Sequence, residues 1–487
     1  MRELLASIAA VLLLALAGCP GEKDTISPTV DITAPGNGDS LVADTITITA
    51  HATDNKGVSV VRFYLDTVQF AQDSVADAFN YSAVWNAVAE SLGGTFNIKV
   101  TASDSAGNLA TDSIIIYTRR TGGGPKYHGG PLTASEVWYV TGNPHICTSA
   151  VVIDGGHKLT IEPGCEVRFR AGTGIAVGEG SGGELAAVGK PDTLIQFTSD
   201  SSAPGPGNWT GIAFHANTVP TTHLSYCAMD WGGVPSSGAL VARPGAQFAV
   251  DHCTITRSAG AGLFCATGGH PTTFTDNTIT GSMDYPIRIE AGYLGFIGAG
   301  NVLTGNASGM DAIFAAGSGV AASATWRNLG VPYIVNGDVL IGDASSPVVT
   351  VEPGTTIKLA QNAAITIGYN QLPGALKADA TGGQQILFTS SSPTPHRGDW
   401  LYIYFDLGTI DSESKLKNCK FQYGGRNQDG EIYLYDAKPE INGCAVDSSA
   451  GYGIFLEGNW SELPDTMALL NNNTFSGDSL GGVGYYP

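Results

Sequence analysis

The chain has 487 residues, of which 44 are acidic and 24 are basic, so its formal net charge is −20. This balance argues against nucleic acid as a partner, because nucleic-acid-binding proteins present a basic surface. Hydrophobic residues make up 43% of the chain, which excludes a disordered protein. The 65 glycines and 24 prolines indicate frequent turns, and the length suggests about three domains.

The N-terminus has the features of an export signal. One cation, Arg2, precedes an apolar run over residues 4–16, which is too short to span a membrane comfortably. The run ends in the sequence LAGC, which closes on Cys19 and resembles the lipobox of bacterial lipoproteins. The resemblance implies a signal peptide at 1–18, lipidation of Cys19 and a lipidated tether at 19–26. An ordinary cleaved signal with an incidental cysteine is the alternative.

The lipobox resemblance also implies a location. No other stretch reaches the roughly 18 apolar residues of a membrane-spanning helix. We therefore expect the chain after Cys19 to lie in the cell envelope, with the membrane as a partner through the lipid anchor. Pro20, in place of an aspartate, resembles the sorting signal of outer-membrane lipoproteins and implies an outer-membrane position. Exposure at the cell surface is a further expectation.

Residues 27–118 predict a small β-sandwich. Apolar and polar residues alternate around Ile46, Val61 and Ile98, and Gly/Asn/Asp turns separate these stretches. The segments PTVDITAP, ATDNKGV and ASDSAGN resemble bacterial Ig-like domains, which implies an Ig-like spacer. Asp54 and Asp104 lie in two of these turns and are the calcium candidates; ordinary turn chemistry is the alternative. No cofactor is otherwise expected.

A Gly-rich linker is predicted at 119–130, and the region 131–487 contains an internal duplication. IEPG at 161–164 recurs as VEPG at 351–354, and GNW at 207–209 recurs as GDW at 398–400. These offsets place copy one at about 131–320 and copy two at about 326–487. In copy one, cysteine or asparagine recurs in one slot roughly every 24–26 residues, at Cys227, Cys253 and Asn277, and Cys419, Cys444 and Asn473 repeat the pattern in copy two.

The short period and the Gly/Asn turns indicate a solenoid of short strands. The sequences IEPGCEVRF, IQFTS and GNWTGIAF resemble the pectate-lyase-like superfamily of right-handed parallel β-helices. We therefore predict an all-β, helix-free mature chain: an N-terminal Ig-like β-sandwich followed by a long right-handed parallel β-helix of two tandem copies. Cys227 should stack on Cys253, and Cys419 on Cys444, as buried unbridged ladders, although disulfides are sterically conceivable.

Signals for catalysis are sparse. Enzymes of the superfamily that the solenoid resembles use clustered carboxylates, often with calcium and a nearby basic residue. The nearest set in this sequence is Asp230, Asp251, His252 and Arg257, and copy two does not repeat it. An exposed turn of a solenoid coil is the alternative explanation for these four residues.

An asymmetry between the copies points to ligand binding. If Ile403, Ile432 and Leu434 face the core, the residues that alternate with them point outward. Copy one has small or aliphatic residues at most of these positions, whereas copy two has aromatic rings, which suit sugar rings. A covering loop or simple cross-strand stacking is the alternative. The predicted ligand-binding set is Tyr402, Tyr404, Tyr433, Tyr435, Phe455 and Glu431.

Three functional classes follow from these features. The first is a surface-anchored, non-catalytic binding or adhesion protein that contacts carbohydrate or another extracellular polymer through the β-helix. The second is a polysaccharide lyase or glycoside hydrolase, which rests on fold resemblance alone. The third is a passive structural protein of the envelope. The missing catalytic cluster favours a non-enzymatic protein.

Overall fold

The computed structural model describes residues 23–43, 45–87, 95–120, 125–427, 429–459, 461 and 463–486. The chain divides into two compact units, with the boundary between residues 123 and 124. Both units are built almost entirely of β-strands, as the sequence predicts. Within the described residues, no helix is long and apolar enough to cross a membrane. Cys19 and the signal peptide lie outside the described residues.

The first unit is a sandwich of two sheets, with strand orders β1-β3-β6 and β2-β8-β7-β4-β5. Its strands are β1 (Thr29–Ala34), β2 (Ser40–Ala43), β3 (Thr45–Thr53), β4 (Val58–Leu65), β5 (Val68–Asp73), β6 (Asn80–Asn86), β7 (Thr95–Asp104) and β8 (Leu109–Arg120). The alternating residues Ile48, Val61, Phe63 and Ile98 are fully buried, so each strand contributes one face to a common core. Burying such a side chain contributes about 1.5–3 kcal/mol.

The second unit is a parallel β-solenoid of about 13 turns. The strands of its first part are β9 (Lys126–Pro131), β10 (Glu136–Trp138), β11 (His145–Ile153), β12 (His157–Ile161), β13 (Glu166–Phe169), β14 (Ile175–Val177), β15 (Gly183–Val188), β16 (Ile195–Ser199), β17 (Ile212–Phe214), β18 (His223–Ser225), β19 (Cys227–Asp230), β20 (Gly238–Ala242), β21 (Ala249–Asp251), β22 (Thr254–Thr256), β23 (Ala261–Cys265), β24 (Thr273–Thr275), β25 (Thr278–Thr280), β26 (Ile287–Glu290) and β27 (Ile313–Ala316).

The second part of the solenoid continues with the same short elements. Its strands are β28 (Gly319–Val320), β29 (Ala324–Trp326), β30 (Tyr333–Asn336), β31 (Val339–Ile341), β32 (Val348–Val351), β33 (Thr356–Leu359), β34 (Ile365–Ile367), β35 (Ala375–Asp379), β36 (Ile386–Ser390), β37 (Ile403–Phe405), β38 (Lys415–Lys417), β39 (Cys419–Gln422), β40 (Gly430–Tyr435), β41 (Glu440–Asn442), β42 (Ala445–Asp447), β43 (Tyr452–Glu457), β44 (Thr474–Ser476) and β45 (Gly481–Tyr486).

One column of parallel strands runs through both copies. It consists of β11, β14, β17, β20, β23, β26, β27, β30, β33, β36, β39, β42 and β44. Each strand contributes one apolar residue to an in-register stack. The stack is Val151, Ile175, Ile212, Leu240, Leu263, Ile287, Ile313, Tyr333, Ile357, Phe388, Phe421, Val446 and Phe475.

The two copies occupy different positions around this column. In copy one the IEPG motif is followed by β13 and then by β14, and it is β14 that lies in the column. In copy two the column contains β33, which follows VEPG directly and is the counterpart of β13. The counterpart of β14 is β34, which lies in a separate seven-stranded sheet, β28-β31-β34-β37-β40-β43-β45. Copy two is therefore turned by one strand position relative to copy one.

The expectation of a helix-free chain is wrong: besides one α-helix, the described residues include 3-10 helices at Val140–Gly142, Ala291–Phe296 and Tyr369–Gln371. A helix of about two turns, α1 (Thr466–Asn472), lies between β43 and β44. Asp465 caps it by accepting a hydrogen bond from Met467 N at 2.8 Å, and the residues that follow have good helix propensity. Leu469 anchors the helix in the solenoid core, where it is 3% exposed. Near the first unit's end, β8 extends to Arg120 and β9 begins at Lys126, both inside the 119–130 range assigned to the linker.

The cysteine slots are interior positions, as the sequence interpretation expects. All seven cysteines of the described chain are buried and free. Where the slot holds asparagine, the side chain bonds the turn below: Asn277 Oδ1 accepts from Cys253 N, and Asn473 Oδ1 accepts from Cys444 N, each at 2.9 Å. Cysteine and asparagine therefore occupy equivalent interior positions in different turns, and both side chains are small enough to fit inside the coil.

Candidate ligand-binding face

Three strands of copy two bring aromatic side chains together on the outer surface of the solenoid. In β37 and β40, the core-facing residues Ile403 and Ile432 are fully buried. The residues that follow them, Tyr404 and Tyr433, lie directly opposite each other in register, and Phe455 in β43 continues the row. Because successive residues of a strand point to opposite faces, this row lies on the outside.

The rings contact one another over three turns, and we call the set of five rings the aromatic face. Tyr404 lies 4.9 Å from Tyr433, and Tyr433 lies 5.3 Å from Phe455, measured between ring centroids. Tyr402 lies 5.5 Å from Tyr404, and Tyr452 lies 5.8 Å from Phe455. All five rings are partly exposed. Offset and edge-on contacts of this kind stabilise the cluster while leaving ring surface for a ligand.

Three hydroxyl groups of the aromatic face have raised pKa values. Burial raises the pKa of Tyr402, Tyr404 and Tyr433; nearby carboxylates raise it further, Asp338 and Asp429 for Tyr402 and Glu457 for Tyr404 and Tyr433. The Tyr433 hydroxyl donates a hydrogen bond to Glu457 Oε2. The face therefore offers apolar ring surface together with hydroxyl groups, and these three hydroxyls stay protonated at neutral pH.

Tyr452 completes the face and was not in the predicted set. It begins β43 and pairs with Gly430. Its ring lies against Gly484, where an added Cβ would come within 2.5 Å of Tyr452 Cδ2. The glycine at 484 therefore makes room for the ring. Strand alternation does not reveal this residue, because Tyr452 lies two residues before the core-facing Ile454 and would be assigned to the inner face.

Two members of the predicted set lie elsewhere. Tyr435 is partly exposed on β40, but its register neighbour is Glu457 and it makes no ring contact with the aromatic face. Glu431 does not lie on the surface as predicted. Its side chain is fully buried, and its Oε1 accepts a hydrogen bond from Gly424 N at 2.9 Å. It therefore cannot contact a ligand on the surface.

The environment of Glu431 is that of an uncharged carboxyl group. Its Oε2 is buried and has no hydrogen-bond partner within the described residues. Burial raises its pKa well above the ordinary range, and the charges of Asp478 and Asp447 act in the same direction. Copy one has Ala239, which is 1% exposed, at the equivalent position. Glu431 thus stands where copy one has a small apolar core residue, and its burial favours the protonated form of the carboxyl group.

Copy one lacks the aromatic face. At the positions of Tyr404 and Tyr433 it has Ala213 and Val241, and Val241 is only 3% exposed. Both residues line a groove that also includes Ser236 and Ser237 from the preceding loop. The equivalent surface of copy one therefore has smaller side chains, and Val241 is less exposed than the tyrosine at its position in copy two.

Among the four catalytic candidates, Asp230 and Arg257 form a closed ion pair. Arg257 Nε donates to Asp230 Oδ1 at 2.8 Å, and Nη2 donates to Oδ2. The guanidinium also lies 4.2 Å from the ring centroid of Trp231, and Thr256 Oγ1 donates to the same carboxylate. Asp230 and Arg257 thus hold each other in a charge-assisted, bidentate pair on the solenoid surface.

The other two candidates belong to a separate cluster. Asp251 accepts hydrogen bonds from His223, Ser225 and His252. Burial raises its pKa, but these hydrogen bonds outweigh burial, so the pKa of Asp251 is lowered. His252 stacks on Tyr226 with 4.6 Å between ring centroids and has a left-handed φ of 51°, typical of a turn. The aspartate accepts from serine and histidine separately, so no serine–histidine–aspartate relay is formed.

The calcium candidates Asp54 and Asp104 do come together. Both lie at one end of the Ig-like sandwich, where Asp24 joins them. Sequence reasoning missed Asp24, because it precedes the first strand and lies within the range assigned to the lipidated tether.

Comparison with known protein families gives a match in the first unit. Residues 28–100 match the family model of a bacterial Ig domain. Curated proteins give no significant match. Among solved structures, the chain is similar to fibronectin(III)-like modules of CbhA from Clostridium thermocellum, with 28% identity, 20% of this chain and 48% of that chain covered, and a TM-score of 0.17. The chain thus spans about half the length of that structure. The match to a bacterial Ig domain suggests a surface or binding protein.

The raised pKa of the buried Glu431 carboxyl can be tested through the pH dependence of stability. Because its folded pKa is raised above the unfolded value of 4.5, its contribution to stability is fully present below pH 4.5 and is lost as the pH rises toward the folded pKa. The loss is up to about 1.4 kcal/mol per pH unit for one proton. Glu431→Gln should therefore be more stable than the original chain at pH 8, and the two should converge near pH 4.5.

Urea unfolding of the full chain between pH 4.5 and 8.5 measures this difference. Glu413→Gln is the matched control, since Glu413 is an exposed glutamate of the same copy and should leave the pH dependence unchanged. A Glu431→Gln variant that is less stable at pH 8 would show that the carboxylate is ionised and needed in the fold.

Proposed function

We propose that this protein is a lipid-anchored, non-catalytic binding protein of the cell surface, which contacts a carbohydrate polymer through the aromatic face of its solenoid. The observation that carries the proposal is the row Tyr404, Tyr433 and Phe455, flanked by Tyr402 and Tyr452, on the outer surface of copy two. The Ig-like domain acts as a spacer between the anchor and the solenoid, a pectate-lyase-like β-helix whose fold has been adapted to binding.

The chemistry of the aromatic face fits a glycan better than a charged polymer. A sugar ring offers an apolar face for stacking and hydroxyl groups at its rim, and tyrosine rings offer both complements. The rings repeat from turn to turn at the spacing of parallel strands, just under 5 Å, so the row follows an extended chain rather than a single small molecule. The net charge of −20 disfavours polyanionic ligands.

The binding prediction is tested with the double variant Tyr404→Ala with Tyr433→Ala. Each stacked ring typically contributes about 0.5–1.5 kcal/mol, so the loss of two should weaken binding by about 5- to 150-fold. The measurement is pull-down of the full chain on cellulose, xylan, chitin and peptidoglycan, followed by titration of whichever polymer retains it. Because the two rings also pack on each other, we expect a modest loss of stability of about 1–2 kcal/mol.

Tyr369→Ala is the matched control. Tyr369 is 41% exposed in the same copy but lies outside the aromatic face, so its removal should leave binding unchanged. Equal weakening by the control and the double variant would contradict the proposal. Retention on none of the polymers would favour a passive structural protein, and release of soluble sugar from any of them would favour the lyase or hydrolase.

The anchor is tested separately. Cys19→Ala removes the thiol that lipidation requires, so the protein should move from the membrane fraction to the soluble fraction of the producing bacterium. The distribution of the protein between the two fractions is measured by immunoblotting after ultracentrifugation. A variant that stays in the membrane fraction would contradict the lipid anchor without bearing on the aromatic face.

A further inference from the structure

The sheet that carries the aromatic face has no basic residue in its strands. Its seven described strands, β28, β31, β34, β37, β40, β43 and β45, contain no lysine, arginine or histidine. Five lysines lie in other strands of copy two, and all of them belong to the other two sheets of the solenoid. They are Lys358, Lys377, Lys415, Lys417 and Lys420. Positive charge is therefore kept away from the strands of the aromatic face.

Carboxylates border the aromatic face at both edges of this sheet. Asp338 directly precedes β31 and Asp429 directly precedes β40, so both lie where these parallel strands begin. Asp406 directly follows β37 and Glu457 ends β43, so both lie where the strands end. A ligand chain that follows the row of rings from turn to turn therefore runs between two lines of negative charge.

The charges of these carboxylates reach the rings. Burial is the largest cause of the raised pKa values of Tyr402 and Tyr433, and the carboxylates add to it. Asp338 and Asp429 raise the pKa of Tyr402, from one edge of the sheet. Glu457 and Asp429 raise the pKa of Tyr433, from both edges. Within the described residues, none of the ion pairs includes any of the four bordering carboxylates.

Copy one lacks these carboxylates as well as the rings. The strand registers of the two copies give the equivalent positions, and copy one has neutral or basic side chains there. The pairs are Asp406 with His215, Asp429 with Ser237, Glu457 with Ala266 and Tyr435 with Arg243. Rings and carboxylates therefore occur together in one copy and are absent together from the other, as expected for parts of one binding site.

We propose that the glycan bound by the aromatic face is an amino-sugar polymer, whose rings carry ammonium groups. This inference rests on the proposed function and adds the charge of the ligand to it. The apolar face of each sugar ring stacks on an aromatic ring. The ammonium group is attracted both by the negative face of the aromatic ring and by a bordering carboxylate.

A linear amino-sugar chain fits the two lines of carboxylates. In a chain of β-linked glucosamine, successive rings are turned over, so the ammonium groups alternate between the two sides of the chain. Asp338 and Asp429 serve one side, and Asp406 and Glu457 serve the other. A polyanion would place its own charges beside these carboxylates, and a neutral glycan would leave the carboxylates without a charged partner.

Three hexasaccharides with the same backbone test the proposal. Glucosamine hexamer carries ammonium groups, chitohexaose carries acetamido groups at the same position, and cellohexaose carries hydroxyl groups. Their affinities for the full chain are measured by calorimetry at pH 6 and low salt. We expect the glucosamine hexamer to bind about tenfold more tightly than either of the others, since several modest charge contacts act together. High salt should reduce this preference, because it screens exposed charges.

The double variant Asp429→Asn with Glu457→Gln removes one charge from each edge at nearly constant side-chain size. The second substitution keeps an oxygen that accepts the hydrogen bond from Tyr433. The variant should lose most of the preference for the glucosamine hexamer and keep its affinity for cellohexaose, which also shows that it is folded. Glu413→Gln is the matched control, since Glu413 is exposed outside the aromatic face, and it should keep the preference.

Equal binding of the three hexasaccharides would overturn the amino-sugar assignment and leave the proposed function intact, because the rings alone would then hold the glycan. A preference that persists in the double variant would also overturn the assignment. So would polylysine that binds as tightly as the glucosamine hexamer, because the surface would then select charge without the sugar ring. Binding of none of the three would contradict the proposed function itself.

Discussion

The solenoid depends on one interaction: the in-register stacking of apolar side chains from turn to turn along a single column of parallel strands. A single turn cannot bury its own apolar face, so each residue of the stack, such as Ile287 or Ile313, is covered by its neighbours above and below. The stack passes through the junction of the two copies without interruption. The core is therefore continuous through both copies, although the strands that form the column come from different positions of the repeat in copy one and copy two.

This continuity decides where the aromatic face lies. Since copy two is turned by one strand position, the strands that carry Tyr404 and Tyr433 do not extend the column of their copy-one counterparts. They belong to a separate sheet that starts at the junction with β28. The two copies therefore present different outer surfaces. Tyr404 and Tyr433 lie on the separate sheet at the positions where copy one has Ala213 and Val241, while the core-facing neighbours stay apolar in both copies.

Much of the fold could be predicted from the sequence, because strands and coils leave local periodic signals. The alternation around Ile48 and Ile403 revealed which residues face inward, and the recurrent EPG motif revealed the duplication. The rotation of copy two could not be predicted, since it depends on which strand covers Ile313. The burial of Glu431 was missed because a residue at the edge of a strand can turn either way, and Asp24 was missed because its partners are distant in sequence.

Hydroxyl-radical footprinting of the full chain, with and without the polymer that retains it, shows whether the aromatic face is the contact surface. We expect the rings of the aromatic face to react in the free protein and to be protected together in the complex; they are Tyr402, Tyr404, Tyr433, Tyr452 and Phe455. Tyr333, 1% exposed in the core, serves as the unreactive reference. Protection of other surface tyrosines, such as Tyr127 or Tyr369, while the aromatic face stays reactive would contradict the claim.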